Sequence, residues 1–148
     1  MPLDPSYKEQ NLASRKRIRA LAERLTAEEL QTKVGEHWTV SIALAHIAFW
    51  DRRTMHILDI SEKEGRIVVP QIDVIVYDLS LPLWATVPPR EAVRIAIESA
   101  EALDKRLEEY SPALLEELYS INERFIIRAL HRNEHLDEVD TELKQSGG

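Results

Sequence analysis

Apolar side chains recur every three or four residues in four long segments, and this periodicity restricts the chain to a helical fold. The first segment runs from about Ser6 to Leu25, and the second from Thr39 to Glu64. The third begins at Pro88-Pro89 and ends near Ser111, and the last extends from Ser120 to about Leu143. Burying four such stripes together predicts an all-α protein, an antiparallel four-helix bundle with one long crossover.

Local signals set the expected helix ends. Thr26-Ala-Glu-Glu29 and Ser120-Ile-Asn-Glu123 both match a capping box, so each predicts a helix start. Thr39 is an expected N-cap, and Gly65 is an expected C-terminal stop. Residues 66–87 contain β-branched stretches, but an isolated pair of strands would be marginal, so we expect a crossover with a short helix near Val74 to Leu83.

Composition narrows the class of protein. The 148 residues suffice for one domain spanning 1–148, and a formal net charge of -7 argues against a nucleic-acid partner. With no cysteine in the chain, any metal must be held by histidine or carboxylate ligands. The N-terminal residues lack the features of a signal peptide and no apolar run is long enough for a membrane span, so we expect a cytoplasmic protein without a membrane partner.

Three histidines form a candidate metal site. His131 and His135 are four residues apart, so on a helix they project from one face and can share an ion. His46 falls within a stripe of the second helix that also contains Ile42, Phe49, Trp50, Arg53, Ile57 and Ile60. An imidazole placed there is desolvated and needs a partner for its nitrogens, which a metal ion can supply.

The alternative is that His46 hydrogen-bonds within the core, while His131 and His135 are ordinary surface residues. Arg124, Glu138 and Glu142 share the stripe of His131 and His135 on the expected last helix. Arg124 is therefore a candidate for receiving an anionic substrate group, and Glu138 for acting as a base or orienting an imidazole. His37 and His56 do not face the expected site, so neither is expected to bind the metal.

Two segments resemble the DinB-like superfamily, which includes the N-terminal domain of mycothiol-dependent maleylpyruvate isomerase. They are the tryptophan-led stretch 38–52, which carries His46, and the His-x-x-x-His stretch 130–136. The resemblance implies a four-helix bundle whose metal, usually zinc or nickel, is held by His46, His131 and His135. It also implies a homodimer and, for some members, chemistry on a low-molecular-weight thiol. The chain ends soon after the second stretch, so we do not expect the isomerase's second domain or its reaction.

Three functions remain open. The first is a metal-dependent S-transferase that acts on a small molecule and activates a thiol or water. The second is a thiol-independent hydrolase with Glu138 or Glu134 as base. The third is a stress-response binding or scaffold protein without catalysis.

Overall fold

Six α-helices account for most of the chain in the computed structural model, which describes residues 2–147. The expected all-α fold is therefore confirmed. The helices are α1 (Tyr7–Arg24), α2 (Val40–Glu64), α3 (Ile75–Ala85), α4 (Pro89–Glu109), α5 (Pro112–Ile121) and α6 (Ala129–Gly147).

The four longest helices pack side by side, with α4 and α6 each lying between α1 and α2. Arg90 at the start of α4 bonds to carbonyls at the end of α1, and Arg15, earlier in α1, reaches Asp104. These two helices are therefore antiparallel. So are α2 and α6, because His46 lies beside His135 whereas Asp51, further along α2, accepts from Arg128, which precedes α6. In contrast, α2 and α4 run in the same direction, because Arg52 meets Ser99 and Glu62 meets Arg106. The expected long crossover makes this parallel pair possible, since residues 65–88 return the chain to the other end of the bundle.

Several predicted helix ends are confirmed by their capping bonds. The hydroxyl of Thr26 accepts from the backbone N–H of Glu29, whose carboxylate accepts from the N–H of Thr26, and a 3₁₀ turn follows at Glu29–Gln31. Thr39 caps α2 by accepting from the N–H of Ile42. Gly65 ends α2 with a φ of 70°, the left-handed conformation that glycine adopts without strain.

The predicted start of the last helix at Ser120 is wrong. Ser120 lies inside α5, and its hydroxyl donates to the carbonyl of Glu116 instead of capping a new helix. Asn122 ends α5, and its side chain accepts from the N–H of Arg124 to open a 3₁₀ turn at Glu123–Phe125. Because α6 begins only at Ala129, Arg124 does not lie on the same helix as His131 and His135.

A short hairpin before α2 is not predicted from the sequence. Strands β1 (Lys33–Val34) and β2 (Trp38–Thr39) pair antiparallel, with Val34 opposite Trp38. The loop between them turns at Gly35, which has a φ of 70°. This hairpin leads directly into α2 and so fixes Trp38 close to the first turns of that helix.

The core consists of two apolar clusters, one toward each end of the bundle. The first contains Leu44, Ile47 and Leu136, and the second contains Leu58, Leu103 and Leu118. Each such side chain, when fully buried, contributes about 1.5–3 kcal/mol to the free energy of unfolding. None of the helices described over residues 2–147 combines the length and apolar composition needed to cross a membrane.

Candidate metal centre

His46 is buried in the wall of the bundle, with 4% of its surface exposed. The predicted stripe on α2 is rotated relative to the core, because the fully buried face runs through Leu44, Ile47 and Leu58. Phe49, Trp50 and Ile60 are only half-buried. His46 thus lies at the border of the core, where α2 faces both α3 and α6.

The antiparallel packing of α2 and α6 brings His46 to the two histidines of α6. The ring centroid of His46 lies 5.3 Å from that of His131 and 4.5 Å from that of His135. One potential ligand atom from each of the three rings lies within 4.8 Å of the others. The three histidines predicted from the sequence are therefore close enough to share one ion.

Burial keeps these imidazoles neutral. It lowers the pKa of His46 to about 3 and that of His131 to about 2, with further lowering of the latter by the nearby charge of Arg128. Burial also lowers the pKa of His135, although the carboxylates of Glu138 and Glu134 oppose this effect. A neutral imidazole is the form that binds a metal ion.

One nitrogen of each ring also lacks the hydrogen bond that a structural role would require. Within residues 2–147, the Nδ1 atoms of His46, His131 and His135 are buried and have no hydrogen-bond partner. The alternative of a hydrogen-bonded core histidine therefore does not describe His46, and His131 and His135 are not free surface residues. Three uncharged nitrogen donors with unmet bonding capacity fit a divalent transition-metal ion.

Aromatic side chains surround the triad. Trp38 from the hairpin lies 4.7 Å from His46 and stacks on His135 at 5.4 Å, measured between ring centroids. Trp84 and Tyr77, both from α3, lie 5.3 and 5.8 Å from His46. Trp50 closes another side, 6.2 Å from His46. The crossover helix thus covers the site, although no residue of α3 is fully buried.

A cleft of about 610 Å³ opens beside His135, between the hairpin and the second half of α6. Trp38 and His135 line it, together with the acidic side chains of Glu36, Glu138 and Glu142. Oε2 of Glu138 lies 3.9 Å from Nδ1 of His135, and the Glu138 side chain is mostly exposed. The cleft therefore gives solvent and small molecules a route to one edge of the triad.

The other polar candidates do not belong to the three-histidine cluster. The guanidinium of Arg124 donates to Glu134 over 2.7 Å, in an ion pair on the surface of the bundle. His37 and His56 are exposed, and neither belongs to the three-histidine cluster found among residues 2–147. The predicted catalytic roles of Arg124 and Glu138 stay predictions.

A buried ionic network that sequence analysis missed lies next to the triad. Asp51, fully buried on α2, accepts from Nε of both Arg128 and Arg132. Arg132, also fully buried, donates through both terminal nitrogens to Asp104 of α4. Arg132 also donates to the hydroxyl of Ser14 on α1, so its bonds join all four long helices, and they fix the position of the residue next to His131.

A signal for this network was present in the sequence. Asp51 follows Leu44, Ile47 and Ala48 at the spacing of the core stripe, and Arg132 falls between Ala129 and Leu136 in the same way. Two charged residues of opposite sign at core positions of facing helices indicate a buried pair. The sequence also contained a signal for the aromatic residues of α3 that adjoin His46. Tyr77 and Trp84 are seven residues apart, which places both on one face of that helix.

Fold and site together define a helical bundle with a three-histidine centre in its wall. A comparison with protein-family models finds the DinB superfamily over residues 10–138, a range that includes all three histidines. The chain therefore belongs to the DinB superfamily, as its resemblance implied. Neither the curated proteins nor the solved structures include a match to this chain.

Proposed function

We propose that this protein is a metal-dependent enzyme of the S-transferase type, with one divalent ion held by His46, His131 and His135. The observation that carries the proposal is the convergence of three neutral imidazoles, one buried and two half-buried, whose buried Nδ1 atoms have no hydrogen-bond partner among residues 2–147. Three histidine ligands with a position left for substrate are typical of catalytic rather than structural zinc sites.

Zinc or nickel suits this donor set, because imidazole nitrogen is a good ligand for both. When bound, such an ion would supply Lewis acidity that lowers the pKa of a thiol or a water. The indole and phenol rings of Trp38, Trp50, Trp84 and Tyr77 place apolar surface next to His46. Apolar surroundings lower the local dielectric constant and so strengthen electrostatic interactions within the site.

The carboxylate of Glu138 is the candidate proton acceptor. It lies on the rim of the cleft, close to His135, and it is exposed enough to exchange a proton with solvent. A small thiol entering through the cleft would pass Oε2 of Glu138 before it reaches the histidines. Glu138 can thus accept the thiol proton as the sulfur becomes a nucleophile toward a small electrophile.

A hydrolase that needs no thiol is the second candidate. The carboxylates of Glu138 and Glu134 both lie close enough to His135 to raise its pKa, so a base for water activation is available on this side. The third candidate is a binding or scaffold protein in which the metal only stabilises the fold.

An activity screen separates these candidates. Protein reconstituted with zinc or nickel is assayed against a panel of electrophiles and esters, with and without bacillithiol, mycothiol or glutathione. His46→Ala, which removes one ligand, is compared with His56→Ala, an exposed histidine on the same helix. The proposal expects turnover that requires metal, thiol and His46, but not His56.

Each other outcome supports a different candidate. Turnover without any thiol would favour the hydrolase. Absence of turnover, together with a large fall in melting temperature on chelation, would favour a structural metal. We also propose that the protein acts as a homodimer on the basis of its family resemblance, and sedimentation equilibrium would test this.

A further inference from the structure

Buried polar atoms without a hydrogen-bond partner are concentrated where α2 faces α6. Within residues 2–147, six of the eight such atoms lie there. Three are on residues of α2 spaced four and three apart, one is on Arg128 just before α6, and two are on α6. These six are His46 Nδ1, Trp50 Nε1, Arg53 Nε, Arg128 Nη2, His131 Nδ1 and His135 Nδ1, and the other two are Arg15 Nε and Ser41 Oγ. The histidines occupy one end of this region, and Trp50, Arg53 and Arg128 occupy the other.

The three residues of the second group, which we term the donor strip, can donate hydrogen bonds but cannot accept them. Arg53 adjoins Trp50, and the side chains of Arg53 and Arg128 both reach the 3₁₀ turn Glu123–Phe125 that precedes α6. The guanidinium of Arg53 lies 5.4 Å from the Trp50 ring and 5.7 Å from the ring of Phe125, both measured to the ring centroid. Arg128, with 5% of its surface exposed, donates to the carbonyl of Arg124 in the same turn.

The donor strip carries positive charge that its surroundings do not balance. Arg128 shares the carboxylate of Asp51 with Arg132. Arg53 has no carboxylate within ion-pair distance in the described part of the chain, and its Nη2 donates only to the carbonyl of Pro70. Leaving buried donors unpaired costs free energy, so their persistence beside a candidate reaction centre indicates a ligand that supplies acceptors.

We infer that the donor strip binds a carboxylate of the substrate, with Arg53 as the principal residue. A carboxylate supplies two acceptor oxygens and one negative charge, which match a guanidinium and neighbouring N–H groups. The inference deepens the proposed function and rests on it for the position of the reacting centre at the histidines. Arg53 lies seven positions after His46, a rise of about 10 Å along the helix, so the carboxylate would lie at roughly that distance from that centre.

The charges at the two ends of the site favour one orientation of the substrate. Glu36, Glu138 and Glu142 make the cleft beside His135 acidic, and this repels a carboxylate. Arg124, the residue that the sequence offered for an anionic group, is already paired with Glu134. The substrate class is therefore an organic acid whose reacting group points toward His135 and whose carboxylate points toward Arg53.

The test uses the full chain without metal, so that a carboxylate cannot bind to an ion. Titration calorimetry compares hydrocinnamate with its neutral amide, hydrocinnamamide, for the parent and for Arg53→Met, Arg53→Lys, Arg52→Met and Arg124→Met. Arg52 is the matched control, because it lies next to Arg53 but is exposed and bonds to Ser99. Circular dichroism verifies that each variant is folded.

The parent should bind hydrocinnamate at least about tenfold more tightly than the amide, as expected for a hydrogen bond to a charged group. Arg53→Met should abolish this preference, Arg53→Lys should retain much of it, and Arg52→Met should leave it unchanged. A parent that does not prefer the carboxylate, or a preference lost with Arg124 and kept without Arg53, would overturn the inference. Because metal is absent throughout, carboxylate binding can succeed even if the metal-dependent function fails.

Discussion

Acid should unfold the metal-free protein steeply, because its histidine centre is held neutral. In the unfolded chain a histidine has a pKa near its ordinary value of 6.5, whereas burial lowers the pKa of His46 to about 3 and that of His131 to about 2. Between these limits the unfolded chain binds more protons than the folded one. The free energy of unfolding therefore falls as the pH is lowered through 6.5.

The size of this fall in the free energy of unfolding follows from the number of protons that the unfolded chain binds and the folded protein does not. Each such histidine contributes a slope of about 1.4 kcal/mol per pH unit, so His46 and His131 together contribute about 2.7 kcal/mol per unit below pH 6. Integrated down to pH 5, the pair costs about 4 kcal/mol, a large part of the roughly 5–15 kcal/mol that stabilises a domain. The lowered pKa of His135 acts in the same direction.

Urea denaturation of chelator-treated protein at a series of pH values between 7.5 and 4.5 measures this slope. His46→Gln and His131→Gln should each reduce the slope by about 1.4 kcal/mol per pH unit. His56→Gln is the control, because that histidine is exposed on the same helix, and it should leave the slope unchanged. A slope that is the same in the parent and in both triad variants would refute the neutral, buried centre.

Three further predictions concern the fold and are measured by the same denaturation at pH 7. Asp51→Asn should lower the free energy of unfolding by about 3–5 kcal/mol, because it weakens the bonds to two buried guanidiniums. Asp59→Asn, which affects an exposed pair with Arg106, should lower it by less than about 1 kcal/mol, and equal losses would contradict the prediction. Thr39→Ala should lower the free energy of unfolding by about 1 kcal/mol, because it removes the side chain that accepts from the N–H of Ile42. An unchanged free energy of unfolding would show that this cap is dispensable. Gly65→Ala should cost about 1 kcal/mol from its positive φ alone, since an added Cβ meets no atom within 4 Å, and a larger loss would indicate contacts there.

The histidine triad could be predicted because helical geometry alone relates His131 to His135. One turn separates the two, and a lone imidazole such as His46 within an apolar helix stripe requires a partner. The helix ends with unambiguous caps, at Thr26, Thr39 and Gly65, were likewise local properties of the sequence. These features depend on neighbours within a few residues, so one sequence is sufficient to find them.

The features that were missed depend on contacts between distant segments. Trp38 reaches His135 only because the hairpin folds back beside α6, and Tyr77 reaches His46 only because the crossover covers the bundle wall. The same limit explains the wrong start of the last helix. A capping box at Ser120 was plausible locally, but α5 continues through that residue and Asn122 supplies the cap of the next turn.

Metal content tests the central claim most directly. Elemental mass spectrometry is applied to protein purified without a histidine tag or a chelator, alongside His46→Ala and His131→Ala. The three-histidine centre predicts about one equivalent of zinc or nickel per chain in the parent and little in folded variants. A folded parent that contains no metal, and takes up neither added zinc nor added nickel, would contradict the claim.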